Sequence, residues 1–180
     1  LPTPIGHSLF GYLFYWSWKR KPIRRSFLAI IFISFISVLP DFDFLPGFLI
    51  GQPNRFHHGA SHSFAAAFLL FAVLYAVEKW VMKARVPQLA PLVFFLYSLH
   101  LIADFFAADT SYPFGEQLFW PFSGRYVISP VTVFLDIRRE SSLGQFIPSL
   151  FSLHNLKAVI IELVVAGILW SSIWFFKKKN

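Results

Sequence analysis

The sequence predicts an all-α fold, a polytopic membrane bundle of about five helices, on three observations. Of the 180 residues, 56% are hydrophobic and only 14% are charged, against about 25% charged in a soluble domain. The apolar residues gather into long runs, and the mean hydropathy is positive at +0.59. The basic residues flank those runs and do not interrupt them, which is where membrane topology places them.

The first element is the aromatic stretch His7–Trp18. Phe27–Leu39 follows, broken only by serines. Phe64–Val77 continues to about Met82, Leu89–Ala108 carries His100 and Asp104, and Leu156–Phe176 is the cleanest span. Pro22, Pro40, Pro53, Pro87 and Pro113 fall between runs, as helix breakers do. A full span takes about 20 residues, so the shorter runs must recruit their flanks. Residues 109–155 form one long connection, read as an outer loop or lid, and residues 1–180 as a single membrane domain without repeats. The 24 Phe, 6 Trp and 6 Tyr suit lipid contact and interfacial belts, with Trp16, Trp18, Trp80 and Trp120 as anchors.

Orientation follows from charge. Lys19, Arg20, Lys21, Arg24 and Arg25 follow the first helix, Lys79, Lys83 and Arg85 the third, and Lys177, Lys178 and Lys179 end the chain. With five alternating helices, these eleven of sixteen basic residues share one face, which the positive-inside rule makes cytoplasmic. The expectation is a multi-pass protein of the inner (plasma) membrane, N-terminus outside and C-terminus cytoplasmic. Topology and anionic headgroups account for the net charge of +7, so nucleic acid is not an expected partner. Cysteine is absent, which removes disulfides and thiolate ligands. No cleavable signal peptide is expected.

Five of the six histidines and three of the nine acids fall into four clusters at the ends of these runs or within them: His7 in "PIGHS", Asp41 and Asp43 in "LPDFDF", His57, His58 and His62 in "HHGASHS", and His100 with Asp104 in "HLIAD". Helix rise places His7 about 18 Å from Lys19, Asp41 about 24 Å from Arg25, His62 about 26 Å from Lys79, and His100 and Asp104 about 17 and 23 Å beyond Leu89. Four clusters on four helices thus share one layer in the outer half of a hydrocarbon core about 30 Å thick. Taken singly, each has a plainer reading: a hydrogen-bonded pair, a capped loop or a helix-ending turn. Together they make neighbours of imidazoles and carboxylates, the ligand set of zinc and related ions, at a depth where unpaired charge is costly. The expected metal ligands are His7, Asp41, Asp43, His57, His62, His100 and Asp104, around two divalent ions, zinc first. Asp41, Asp43 and Asp104 are the expected catalytic carboxylates, one bridging the ions and another orienting a water. His58 reads as a supporting or headgroup residue ahead of a ligand, His154 as helix-end polarity, Glu78 as an ordinary interfacial acid, and Arg125, Arg138 and Arg139 as loop charges with the option of gripping phosphate.

In order and spacing, Gly6-His7, "PDFD" at 40–43, "HHGASHS" at 57–63, "HLIAD" at 100–104 and "GEQLFWPFS" at 115–123 resemble the YdjM-like family of membrane-bound metal-dependent hydrolases, described as LexA-binding inner-membrane proteins. The ligand pattern is more loosely similar to that of zinc-dependent phospholipase C enzymes. The resemblance covers roughly residues 4–130 and implies hydrolysis of phosphoesters, with a membrane lipid as substrate. His58 stands where the family usually has Arg, Ser61 where it has Thr, and Phe44 where some members have His. The competing class is a non-catalytic membrane protein: a structural metal, an ion or proton path, or a regulatory partner of LexA type. A path would need polar groups through the inner halves of the helices, which offer only Ser17, Ser34, Ser37, Tyr75 and Glu78.

Overall fold

A computed structural model describes residues 1–18, 27–84, 88–110 and 112–179. Its elements are α1 (Pro4–Ser17), α2 (Phe27–Ser37), a 3-10 turn (Leu39–Asp43), α3 (Phe44–Leu49), a second 3-10 turn (Pro53–Phe56), α4 (Phe64–Ala76, running into a π-helical turn at Val77–Val81), α5 (Leu89–Phe105), α6 (Leu143–Ser149) and α7 (Leu153–Lys179). The described residues contain no strand, only isolated bridges at Ala107–Phe134 and Glu116–Val127. The class is all-α, as expected. The five expected runs are α1, α2, α4, α5 and α7, with ends moved by a few residues. Apolar periodicity had no power to reveal α3, α6 and the 3-10 turns, which are too short to carry it.

α5 is the central helix and packs against α1, α2 and α4. Leu92, Val93, Leu96 and Leu101 are fully buried on it, and the first three join Tyr15 of α1 and Ile33 of α2 in one core cluster. The outward faces of α4 and α7 keep Phe68, Leu69, Val73, Leu163, Val164 and Ile168 exposed, as lipid-facing surfaces do. Apolar burial does not drive helix association in a lipid solvent, so close packing and polar ties carry it.

Two buried glutamates supply such ties. Glu162 of α7 accepts the backbone N–H of Thr3 at 2.6 Å and its hydroxyl at 2.5 Å, while the Thr3 hydroxyl oxygen caps α1 at the Gly6 N–H. A side chain at residue 6 would collide with this carboxylate, its Cβ lying 2.6 Å from an oxygen; that contact is the reason for glycine there. Glu78 takes the backbone N–H groups of Gln88, Leu89 and Ala90 at 2.8–3.1 Å. It is therefore the anion at the N-terminus of α5, not the ordinary interfacial acid expected.

The ties also give direction. α1 lies parallel to α7, Thr3 meeting Glu162 and the Trp16 carbonyl accepting from Lys177. α5 runs against both α1 and α4, since Asp104 meets His7 and Glu78 meets Ala90. Among these four helices, α1, α4 and α7 therefore run one way and α5 the other. Among the described residues, two helices can cross a membrane by length and composition, Phe64–Val81 and Leu153–Lys178, or three if α2 and Leu39–Leu49, bent by 59°, form one broken span. α5 is apolar but shorter. The basic group from Lys19 to Arg25, Arg85 and Asn180 lie outside the described residues.

Candidate metal centre

All seven sequence-predicted residues converge. His7 comes from the first turns of α1, Asp41 and Asp43 from the 3-10 turn that ends α2, His57 and His62 from the loop before α4, and His100 with Asp104 from one face of α5. Pro40 and the turn chemistry of the aspartates stop α2 at this level, and the Ser63 hydroxyl caps α4 just beyond His62.

The centre is defined by four atoms. His62 Nε2 lies 3.6 Å from Asp41 Oδ1 and 3.6 Å from Asp104 Oδ2. His100 Nε2 lies 3.6 Å from Asp41 Oδ1 and 3.1 Å from Asp104 Oδ2, and the two Nε2 atoms are 3.3 Å apart. Ligand bonds of about 2.0–2.1 Å at tetrahedral angles put ligand atoms about 3.3 Å apart, so these edges have the size of a tetrahedral centre. The four residues could hold a metal ion.

The other ring nitrogens explain why Nε2 faces inward. His100 Nδ1 donates to the Ser37 carbonyl at 2.7 Å, which fixes its proton there because a carbonyl only accepts. His62 Nδ1 faces Asp43 Oδ2 at 3.1 Å and His57 Nδ1 faces Asp43 Oδ1 at 2.9 Å. Asp43 Oδ2 also accepts from the Ser61 hydroxyl at 2.8 Å and the His58 N–H at 3.2 Å. This carboxylate is thus surrounded by donors and orients two imidazoles, the arrangement that fixes tautomer in metal-binding histidines. Ser61 keeps the hydroxyl that this needs and is itself held by Tyr97, whose Oη donates to its carbonyl at 2.6 Å. Phe44 stacks on His57 at 4.0 Å between ring centroids.

Asp104 is the opposite case. It is buried, and neither oxygen has a hydrogen-bond partner. His7 Nε2 stands 3.1 Å from Oδ1 without hydrogen-bond alignment, and its ring stacks on His100 at 3.7 Å. Lone pairs crowded around a buried carboxylate are unfavourable unless a cation sits among them; that is the observation by which these residues fit a metal. Asp41 is the open member, its side chain 21% exposed at the wall of a cavity of about 220 Å³ shared with His57, Phe44, Phe146 and Arg139.

Three residues here escaped the expected ligand set. His58 sits in the left-handed region at φ 65°, uncommon for a residue with a side chain. Its Nδ1 donates to the Gly115 carbonyl at 2.9 Å, its own carbonyl accepts the Gln117 N–H, and its Nε2 is buried without a partner. With His57 and His62 it forms a second group that could hold an ion. Glu116, next to the left-handed Gly115, is buried with both oxygens unpartnered; burial, with the charge of Asp104 adding to it, pushes its carboxyl well above the ordinary range. Arg139 is the third. Glu116 lies within the "GEQLFWPFS" motif but was given no role there, and Arg139 shared one reading with Arg125 and Arg138, so nothing local singled it out. Arg125 and Arg138 are exposed, as solvated loop charges are. His154 bonds Asp136 at 2.8 Å at the start of α7, away from the centre.

A model of the YdjM inner membrane protein family matches residues 3–180. No curated protein and no solved structure matches the chain.

Proposed function

The chain belongs to the YdjM inner membrane protein family, and from that premise we propose that it is a membrane-embedded, divalent-metal-dependent hydrolase that cleaves phosphoester bonds of membrane lipids. The observation that carries the reading is the orphaned carboxylate of Asp104 within a four-atom centre of tetrahedral size. Zinc suits this imidazole and carboxylate set. Asp41, His62, His100 and Asp104 would hold one ion, with His7 against Asp104. His57 and His58 would hold a second together with water or substrate, because one imidazole nitrogen serves one ion and His62 Nε2 belongs to the first. Bound there, divalent ions supply Lewis-acid polarisation of a phosphoryl oxygen and lower the pKa of water.

The chain's own groups do the rest. Asp43 holds His57 and His62 in the tautomer that presents Nε2. Asp41, open to the cavity, is placed to accept a proton from an attacking water. Leu153 precedes Glu162 by nine residues, about 14 Å of helix, and Glu162 is level with Thr3 at the head of α1. The centre thus lies well below the outer end of α7, which favours a lipid entering sideways past Phe44 and Phe146 over a soluble ester. A metal serving structure alone is the competing reading; the opening at Asp41 argues against it, since structural sites are closed.

The test is elemental analysis of the purified chain alongside headgroup release from phosphatidylglycerol and phosphatidylethanolamine micelles. At least one equivalent of zinc and faster turnover of these lipids than of nitrophenyl phosphate are expected. A protein that takes up no divalent metal ends the proposal; equal turnover of lipid and soluble esters ends its lipid part.

A further inference from the structure

The cavity beside Asp41 contains a cation that the ligand set leaves unused. The Arg139 guanidinium is fixed on two sides: Nε donates to Asn54 Oδ1 at 3.0 Å, and the group lies over the Phe44 ring at 5.2 Å from its centroid. Asn54 is itself held by Ser141 at 3.1 Å. No carboxylate lies within salt-bridge distance of Arg139 among the described residues, although Asp41, Asp109, Asp104 and Asp43 are near enough to act on its charge. Clamped at Nε, the side chain keeps its terminal N–H groups for another partner, and it lines the cavity that Asp41 and His57 also line. Apart from Thr3, the remaining walls are apolar side chains, Phe48, Phe146 and Leu150 among them.

A preoriented guanidinium without a carboxylate partner, beside imidazoles and against an apolar wall, matches an anionic group with an apolar body. We propose that Arg139 is an anion-binding residue that grips the phosphate of the ligand through its terminal N–H groups and seats it against Asp41 and the histidines. The fork of donors fits two phosphate oxygens at once, and the aromatic wall takes the adjoining glycerol and upper acyl carbons. This deepens the hydrolase reading and rests on it only for what happens to the ligand afterwards; the phosphate grip needs no metal.

The experiment uses the full chain in detergent, both zinc-loaded and chelator-treated, with three probes: didecanoyl phosphatidic acid, didecanoylglycerol and inorganic phosphate. In the chelated protein, Arg139→Gln is expected to weaken phosphatidic acid binding about tenfold or more, the size of a lost charge-assisted pair. Arg139→Lys should weaken it less, because charge remains and the fork is lost. Didecanoylglycerol affinity, zinc content and the melting temperature of the lysine variant should stay at wild-type values, and Arg138→Gln should change nothing. Phosphatidic acid binding far more tightly than inorganic phosphate identifies a lipid headgroup as the source, and equal affinities identify a free phosphate group; both support the grip. Unchanged phosphatidic acid affinity in both Arg139 variants overturns it, as does an equal loss for didecanoylglycerol, which would make the residue structural. A chain that binds no zinc yet shows the Arg139 dependence defeats the hydrolase reading and leaves this one standing.

Discussion

The two ends of α5 each meet a buried carboxylate, and the two carboxylates are opposites. At the N-terminal end, Glu78 receives three backbone N–H groups. At the C-terminal end, Asp104 receives no hydrogen bond and faces nitrogens of His7, His62 and His100. A buried carboxylate saturated with donors is finished as a structure. One faced by ring nitrogens that donate nothing to it lacks a partner that a cation could supply. Burial alone does not distinguish the two; the character of the neighbouring atoms does.

The largest expected break in this contrast comes from Asp104→Ala or His100→Ala. Each leaves buried groups uncompensated, an effect of about 3–5 kcal/mol, so zinc affinity should fall by two to three orders of magnitude in competition titrations and activity should disappear. His154→Ala, remote from the centre, should leave both unchanged; equal effects from His154 and His100 would contradict the assignment. Chelation comes next. Removing zinc from a site held at a hundredfold excess over Kd costs about 2.7 kcal/mol of stability, so the melting temperature of the wild type should fall on chelation, whereas that of Asp104→Ala should not respond. Asp43→Asn keeps the shape but weakens the anchor of two imidazoles, and a 10–100-fold loss in metal affinity is expected. Glu78→Ala strips three N–H groups of their acceptor and should cost about 1–3 kcal/mol while zinc content stays at the wild-type level. If zinc is lost with Glu78, the two ends of α5 are not independent. Tyr97→Phe, which removes one hydrogen bond to Ser61, should be smallest, near 1 kcal/mol by thermal denaturation.

The centre was legible in the sequence because its parts carry depth. His7, Asp41, His62 and His100 each stand at a countable number of residues from a helix end, and helix rise is regular enough to set four such counts against one another. Which acid would be surrounded by donors and which would face the ring nitrogens was not legible. Asp43 and Asp41 are two residues apart in one motif, and only the irregular 3-10 turn decides that one faces donors and the other faces Nε2. The same limit hid Glu116 and left open which way His58 and Arg139, both named from the sequence, would turn. All three reach the site from irregular backbone, where spacing along the chain says nothing about direction. Glu78 escaped for another reason: its partners are backbone N–H groups across the turn to α5, and a backbone group has no letter in a sequence.

Unequal helix length has a consequence in bilayer mechanics. α7 has 27 residues and α1, lying parallel beside it, has 14, about 40 Å against about 21 Å of helix. One membrane must accommodate both flanks. Beside α7 an acyl chain finds exposed apolar side chains from Leu156 to Phe176. Beside the head of α1 it finds Pro4 and Ile5 and then the groove that leads past Phe42 to Asp41. A bilayer facing a short flank thins toward it, at a cost of fractions of a kcal/mol per Å. The mismatch therefore draws headgroups down on the side of the molecule where the histidines lie, and under the proposed function the membrane itself closes part of the depth a lipid would descend.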